Sequence, residues 1–229
     1  MIYEEKFLRN GLGKKQALIR KTTFAIVGLG GTGGFIFECL VRLGAENFII
    51  FEADNVEISN FNRQILATTS SIDQPKNKLA IARAKSINQE VKIRAHGFFD
   101  SSKKSLSKLK GAKIVIDASD NVSTKVTLAK TARALKVPYV FCSANDSRGI
   151  VSVFLNYKFE KAFQIPKDPQ KLGSYKTCST IIAPVAGIAG SIAACEALNF
   201  IIGNPYPKAP NAIFFDMAKK EKFWRGKLG

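Results

Sequence analysis

The turn at residues 27–34, VGLGGTGG, constrains the fold more than any other segment of this chain. It follows an apolar run, TFAIVG, that predicts a strand, and it leads into a segment ending near Gly44 that predicts a helix. Glycine lets the backbone approach a phosphate closely, and the amino terminus of a helix supplies N–H donors and partial positive charge. The spacing fits G-x-G-x-x-G and predicts a nucleotide site, without specifying the nucleotide. The glycines concerned are Gly28, Gly30, Gly31 and Gly33.

Strands and helices alternate over residues 23–143. Further strands are predicted at residues 47–51, 91–96, 113–118 and 138–143. Further helices are predicted at residues 75–88, where a proline stands near the start, and at residues 121–135. This alternation predicts an α/β fold with a Rossmann-like, doubly wound and mostly parallel sheet.

The pattern changes in the last third of the chain. Residues 149–157 predict a strand with no helix behind it, and the segments AIFFD and KFWRG predict a closing hairpin. We expect an antiparallel C-terminal extension within a single domain, residues 1–229, that begins with an N-terminal arm, residues 1–20. The polar, basic and turn-rich residues 158–180 are expected to form a mobile crossover loop.

Residues 181–202 are long and apolar enough to cross a bilayer. They include Glu196, Asn199 and an early Pro184, and a charge near the centre of a membrane span is costly. We therefore expect a helix buried in the protein core and no membrane association. The first residues show no apolar core of a signal peptide, so a cytoplasmic location is expected.

The chain carries 35 Lys and Arg against 18 Asp and Glu, a formal net charge of +17. Such a field favours anionic partners such as nucleotides, nucleic acid, acidic proteins or anionic lipid, although a lysine-rich solvated surface explains it equally well. The four cysteines show no C-x-x-C spacing and His96 is the lone histidine, so no zinc site is expected.

Polar side chains crowd residues 51–64, FEADNVEISNFNRQ, directly after a predicted strand. Either Glu52 or Asp54 could hold ribose hydroxyls at this position. A triphosphate carries about four negative charges and needs cations beyond the glycine turn. Arg63 and Lys76 are well placed to serve its β- and γ-phosphates.

The segment DASDN follows the predicted strand at residues 113–118. Asp120 in this segment offers a hard oxygen ligand for Mg²⁺ beside the phosphates. Asp117 fits that role less well because it lies nearer the buried end of the strand.

Five motifs stand in order over most of the chain, from about Lys6 to Trp224: GLGGTGG, FEADNVEISNFNRQ, QPKNKLA, DASDN and APVAGIAGSIAACEALNFI. This ordered set resembles the ubiquitin-activating-type adenylyltransferases of the ThiF/MoeB/HesA family. The resemblance implies an enzyme whose substrate is a small ubiquitin-like or sulfur-carrier protein of the ThiS or MoaD kind, ending in Gly-Gly. Its C-terminal carboxylate attacks the α-phosphate of ATP and gives an acyl-adenylate and pyrophosphate.

Carried over by position, the resemblance implies ATP and Mg²⁺ as cofactors, with Asp120 as the metal ligand. The implied triphosphate clamp consists of Asn60, Arg63, Gln64 and Lys76. The other implied nucleotide contacts are the four glycines, Glu52, Asp54 and Asn121.

KFLRN near the start resembles the family's R-Y-x-R-Q segment. This makes Arg9 the counterpart of an arginine that reaches into the ATP site of the partner subunit. A homodimer with two shared sites is then expected. The alternative interpretation of Arg9 is one exposed cation among 35.

Cys178 lies in the basic segment SYKTCST, where Lys171 and Lys176 could favour its thiolate. In the family, a cysteine near this point can take part in sulfur transfer or bond to the ubiquitin-like tail. Cys178 is therefore a candidate catalytic residue, and a plain loop cysteine is the alternative. Burial as small apolar side chains is expected for Cys39, Cys142 and Cys195.

One departure from the family concerns zinc. Many relatives carry two C-x-x-C pairs that bind a structural zinc ion. This chain has FEKAFQIP at the first place and ends at KFWRGKLG without the second pair. The resemblance therefore also predicts that no zinc is bound.

Three other functions stay open on the sequence. One branch of the family adenylates and cyclises threonylcarbamoyl-adenosine in tRNA, and the positive net charge suits tRNA phosphates. A nicotinamide oxidoreductase explains the glycine turn but leaves Arg63, Lys76 and Asp120 unused. A catalytically inactive partner subunit is the third, and the intact set of these three residues argues against it.

Overall fold

One sheet of eight strands organises the computed structural model, which describes residues 2–100, 102–166 and 180–229. The strands are β1 (Thr23–Val27), β2 (Asn47–Phe51), β3 (Lys92–His96), β4 (Ile114–Asp117), β5 (Tyr139–Asn145), β6 (Arg148–Phe154), β7 (Asn211–Asp216) and β8 (Phe223–Lys227). Their spatial order is β3-β2-β1-β4-β5-β6-β7-β8. Pairing is parallel from β3 to β5 and antiparallel from β5 to β8. The predicted fold class, a mostly parallel sheet with an antiparallel C-terminal extension, is confirmed.

The strand order reverses beside β1. The chain runs from β1 outward to β2 and β3, then returns to place β4 on the other side of β1. In open α/β sheets, ligands bind in the crevice outside the carboxyl ends of the strands at such a switch point. A ligand-binding site is therefore expected in the crevice between the ends of β1 and β4.

Helices cover both faces of the sheet. They are α1 (Ile2–Phe7), α2 (Gln16–Lys21), α3 (Gly31–Arg42), α4 (Lys76–Ile87), α5 (Lys103–Lys108), α6 (Val122–Ala134), α7 (Phe159–Ala162) and α8 (Ala183–Ile202). Alternation along β1 sends Phe24 and Ile26 into the core under α3, α4 and α8. Ala25 and Val27 face the core under α6 and α7 instead.

Helix α8 packs closely against α3 because its contact positions are small. A methyl group added at Gly190 would lie 2.7 Å from the carbonyl oxygen of Thr32 and 2.8 Å from the Cβ atom of Phe35. Pro184 stands in the first turn, and Gly203 ends the helix in the left-handed region at φ 76°. Within the described ranges this helix alone is long and apolar enough to span a bilayer. As predicted, it packs in the core beneath β5 and β6.

The structure differs from the prediction in its short helices. The N-terminal arm contains α1 and α2, and α5 occupies a segment for which no helix was predicted. The predicted mobile loop at residues 158–180 begins with α7, whose Phe159 is buried and contacts the rings of Phe154 and Phe163. Residues 167–179 lie outside the described ranges, so mobility there stays a prediction.

The buried carboxylate of Glu38 joins α3 to α4. It accepts hydrogen bonds from Arg83 at 2.8 and 3.0 Å and from Arg42 at 2.7 Å. Burial alone would raise the pKa of Glu38, but the hydrogen bonds and charges of Arg83 and Arg42 lower it below its ordinary value. This pairing fixes the helix that follows the glycine turn relative to the helix that begins with Lys76.

We expect Glu38→Gln to lower the free energy of unfolding by about 1–2 kcal/mol at pH 7, because charge-assisted hydrogen bonds are lost. A carboxylate with a lowered folded-state pKa stabilises the protein above its unfolded pKa of about 4.3 and stops doing so as the pH falls through the folded value. The difference between wild type and variant should therefore shrink from pH 7 toward pH 3. Urea unfolding over this range measures it, with Glu90→Gln, an exposed carboxylate, as the control. A difference independent of pH would contradict this account.

Candidate active site

A large cavity opens at the carboxyl ends of β1, β2, β4 and β5. Its volume is about 1110 Å³, which is enough for a nucleotide and part of a second molecule. Eleven of the residues predicted from the sequence line it: Gly28, Gly30, Gly31, Glu52, Asp54, Asn60, Arg63, Gln64, Lys76, Asp120 and Asn121. Their convergence from separate segments follows from the parallel strands, whose carboxyl ends share one edge of the sheet.

Three predicted site residues do not line the cavity in the described parts of the chain. Gly33 lies in the first turn of α3, Arg9 is exposed in the N-terminal arm, and Cys178 falls outside the described ranges. The role predicted for Cys178 therefore stays a prediction. Arg9 does not line the cavity of its own chain, and the role in a partner subunit that the resemblance implies stays a prediction.

The glycine turn is packed too tightly for side chains at two positions. Gly28 has φ 89°, and a Cβ atom there would lie 2.8 Å from the carbonyl oxygen of Ala118. A Cβ atom on Gly33 would lie 2.0 Å from the carbonyl oxygen of Gly28. Gly33 thus contributes to the site without lining the cavity, because its lack of a side chain lets the first turn of α3 pack directly against Gly28.

Glu52 ties the glycine turn to the end of β2. It is buried, with 8% of its surface exposed, and one carboxylate oxygen accepts from the backbone N–H of Leu29 at 2.8 Å. The other oxygen accepts from the N–H of Asp54 at 2.9 Å. Each oxygen keeps a lone pair, so the carboxylate can hold the turn in place and accept ribose hydroxyls from the cavity.

Lys76 and Arg63 are the cations on the nucleotide side of the cavity. The Lys76 side chain is 6% exposed, and its ammonium lies 3.3 Å from the carboxylate of Asp54. Arg63 donates from Nη1 to the carbonyl oxygen of Ser59 and to the side chain of Asn62, both at 2.8 Å. Both side chains are anchored by neighbours and line the cavity, so they are pre-positioned for a polyanion.

Asn60 builds the turn that presents Arg63. Its side-chain oxygen accepts from the backbone N–H of Glu57 at 3.2 Å, and its own carbonyl accepts from the N–H groups of Arg63 and Gln64. Asn60 and Gln64 are buried at the cavity wall. The many polar residues of this segment thus serve partly to fold it and partly to face the cavity.

The loop between β4 and α6 separates the two aspartates. Asp120 is exposed at the cavity, and Asn121 caps α6 by accepting from the N–H of Thr124 at 3.1 Å. Asp117 is fully buried and accepts from the N–H and hydroxyl of Ser119 at 2.8 and 2.6 Å. The expectation that Asp117 is the poorer metal ligand agrees with this burial.

The fit of Mg²⁺ to the site rests on Asp120. Magnesium in phosphate sites commonly takes one or two carboxylates together with phosphate oxygens and water. Asp120 offers such a carboxylate at the cavity surface, beside the glycine turn. No group of three or more His, Cys, Asp or Glu side chains suited to a metal ion occurs within residues 2–100, 102–166 and 180–229.

The cysteines were predicted only in part. Cys142 is buried, and burial raises the pKa of its thiol to about 12. Cys39 is half-buried against α8, with its sulfur 3.9 Å from the hydroxyl of Ser191. The expected burial of Cys195 is wrong, because its side chain is exposed on the outer side of α8. Small and apolar residues lie on nearly every side of α8, so the sequence does not indicate which face of the helix is exposed.

Sequence reasoning missed Lys125, which lines the same cavity from α6. It also missed Phe98, a ring exposed at the cavity mouth after β3. No spacing in the sequence marks Lys125 as a cavity residue, because the packing of α6 decides which of its side chains face the cavity.

The ThiF family profile matches residues 5–226, nearly the whole chain. The chain belongs to the ThiF family. The predicted family is thus confirmed.

The chain is also similar in sequence to individual relatives that are named as adenylyltransferases. The sulfur carrier protein adenylyltransferase of Thermus thermophilus is 30% identical over 209 residues, covering 88% of this chain and 77% of that protein. An adenylyltransferase and sulfurtransferase of Anopheles gambiae is 26% identical over 221 residues, covering 93% of this chain and 49% of that protein. The chain therefore spans about half the length of the mosquito relative.

The fold of this ThiF-family chain also matches solved structures. The crystal structure of Escherichia coli MccB with ATP superposes with a TM-score of 0.82 at 19% identity, covering 98% of this chain and 71% of that one. At this identity the match establishes the fold alone.

Proposed function

We propose that this ThiF-family protein is an adenylyltransferase that uses ATP and Mg²⁺ to activate the C-terminal carboxylate of a small sulfur carrier protein, in the cytoplasm. One observation carries the proposal: a single cavity collects the glycine turn, the cations Arg63 and Lys76, and the carboxylate of Asp120. The Thermus relative, named for adenylation of a sulfur carrier protein, supports the same substrate class.

The proposed reaction makes one bond and breaks one bond. An oxygen of the substrate carboxylate attacks the α-phosphorus of ATP, the bond to the β-phosphate oxygen breaks, and pyrophosphate leaves with the bonding electrons. A C-terminal carboxylate is already ionised at neutral pH, so no general base is needed. The rate then depends on alignment and on neutralising negative charge.

The residues of this chain supply those two effects. Lys76 and Arg63 lie at the cavity wall, where they can neutralise the β- and γ-phosphates. Glu52 holds the glycine turn and can accept the ribose hydroxyls. Asp120 would hold Mg²⁺, which when bound offsets charge on the phosphate oxygens.

ATP–pyrophosphate exchange tests the proposal. The protein is incubated with ATP, Mg²⁺, labelled pyrophosphate and each ubiquitin-like protein of the source organism that ends in Gly-Gly. We expect label to enter ATP only in the presence of one of these proteins. Tight ATP binding without exchange for any of them would contradict the proposal and favour the tRNA-modifying branch, which tRNA analysis would then examine.

A homodimer with shared sites is part of the proposal. Arg9 is exposed and absent from the cavity of its own chain, which suits a residue that acts in the site of a second copy. Separately, Arg9→Ala and Arg63→Ala should each lower exchange strongly.

Mixing the Arg9→Ala and Arg63→Ala proteins should restore activity. In a hybrid dimer one of the two shared sites contains both arginines, so exchange should recover toward about one quarter of the wild-type rate for random mixing. The control is to mix either variant with a doubly substituted Arg9→Ala/Arg63→Ala protein. Every shared site in these mixtures lacks at least one of the two arginines, so exchange should not recover. Failure of the first mixture to recover, with subunit exchange verified by mass, would count against shared sites.

A further inference from the structure

The cavity has a second half that the nucleotide residues do not occupy. On the side of β5 and β6 its wall is mainly apolar and includes Phe141, Ile150, Phe159, Phe163 and Ile182. Three cations line the described cavity, and two of them, Arg63 and Lys76, stand on the nucleotide side. The third, Lys125, stands in the second half.

Lys125 is a buried cation with few partners. Its side chain is 10% exposed, and its ammonium lies 3.4 Å from Oδ1 of Asp117, a long contact for an ion pair. The ammonium also lies 5.4 Å from the centre of the Phe141 ring, over its face. An ammonium has three N–H donors, and these contacts use one of them.

Asp117 is satisfied by donors other than Lys125. Its Oδ1 accepts from the N–H and hydroxyl of Ser119, and its Oδ2 accepts from the hydroxyl of buried Tyr139. Removing the Lys125 ammonium would leave these three bonds in place. The hydrogen-bonding capacity of Asp117 is therefore met without Lys125, although the lysine also offsets the charge of this buried carboxylate.

Lys125 also lies close to where the reaction takes place. Its partner Asp117 fixes Ser119, and Ala118 and Ser119 pack directly against Gly28 of the glycine turn. The same loop continues to Asp120. A group bound by the Lys125 ammonium would thus lie between the apolar half of the cavity and the phosphates.

We propose that Lys125 binds the C-terminal carboxylate of the incoming substrate and holds it beside the α-phosphate. An apolar slot with one buried cation at its inner end fits a chain terminus that enters extended and ends in a negative charge. The ammonium orients the carboxylate through charge-assisted hydrogen bonds, and the free oxygen is then the one aligned to attack phosphorus. This inference rests on the proposed function for its substrate.

A thermodynamic cycle tests this role independently of catalysis. The binding partners are the carrier protein ending in Gly-Gly and the same protein ending in Gly-Gly-amide, each measured by calorimetry with a non-hydrolysable ATP analogue present. The wild-type protein should prefer the free carboxylate by about 10- to 100-fold, as expected for hydrogen bonds to a charged group. Lys125→Met should bind both forms alike, and Lys125→Arg should keep part of the preference.

Two further measurements separate this role from a structural one. Binding of the ATP analogue alone should be unchanged in Lys125→Met, because Lys125 acts on the carrier protein and not on ATP. If the lysine had a purely structural role, its loss would disturb the loop that carries Asp120 and weaken binding of the analogue. The steady-state KM for the carrier should rise in exchange assays while the KM for ATP stays constant. If Lys125→Met keeps the carboxylate preference, or loses affinity for the ATP analogue to the same degree, the inference is wrong.

The outcomes also distinguish this inference from the proposed function. A lysine-dependent carboxylate preference without any pyrophosphate exchange would keep the inference and reject adenylation. Exchange without a lysine-dependent preference would keep adenylation and reject the inference. A carrier that binds in neither form would reject both.

Discussion

Asp120→Asn is expected to reduce adenylate formation by at least about a thousandfold while the protein stays folded. Loss of the carboxylate proposed to hold Mg²⁺ would remove several kcal/mol of charge stabilisation from the transition state, and each 1.4 kcal/mol is about tenfold in rate. Asp120 is exposed at the cavity and contributes no side chain to either core. ATP–pyrophosphate exchange and thermal unfolding, measured on the same preparations, check both halves of the expectation.

Asp73→Asn is the matched control for Asp120→Asn. Asp73 is also an exposed carboxylate on a loop, but it does not line the cavity. Its exchange rate should stay within about twofold of wild type. Full activity of Asp120→Asn would contradict the proposed metal-binding role of Asp120. A fall in activity that raising the Mg²⁺ concentration partly reverses would support the metal-binding role directly.

Gly33→Ala is expected to have the largest effect on structure. The new methyl group would lie 2.0 Å from the carbonyl oxygen of Gly28, so either α3 or the glycine turn must move. Overpacking of this kind lowers the free energy of unfolding by about 3 kcal/mol or more, which corresponds to about 6–12 °C in melting temperature for a domain of this size. Affinity for ATP should fall with it, because the displaced backbone is the one that meets the phosphates.

Gly97→Ala controls for the general effect of adding a methyl group. Nothing lies within 4 Å of the position that its Cβ atom would take, and its φ is not in the left-handed region. We expect an unchanged melting temperature and unchanged ATP affinity. Normal ATP binding by Gly33→Ala would mean that the turn adapts to the added methyl group and that its tight packing is unnecessary for phosphate recognition.

Most of the residues predicted for the nucleotide site line one cavity because local rules decide their placement. A glycine turn between a strand and a helix has few possible conformations, and parallel strands bring Glu52, Lys76 and Asp120 to one edge regardless of the details. Eleven predicted residues line the cavity for this reason.

The apolar half of the cavity could not be predicted in the same way. Lys125 faces the cavity because of the rotation of α6 about its axis, which tertiary packing decides and spacing alone does not. Cys195 was misplaced for a similar reason, since α8 is apolar on nearly every side and carries no polar stripe to mark its exposed face. Helix α7 is only four residues long, too short for periodicity to show.

The close packing of Gly190 against α3 connects the start of α8, at the cavity mouth, with the glycine turn. The residues that lead into α8, Thr180 to Ile182, line the cavity mouth. About two turns into the helix, Gly190 packs directly against the backbone of Thr32, which follows the glycine turn. A rigid helix cannot shift at one end without pressing on its contacts along the way. A substrate chain that displaces the start of α8 should therefore alter ATP affinity, and by thermodynamic reciprocity ATP should alter the affinity for that chain to the same extent.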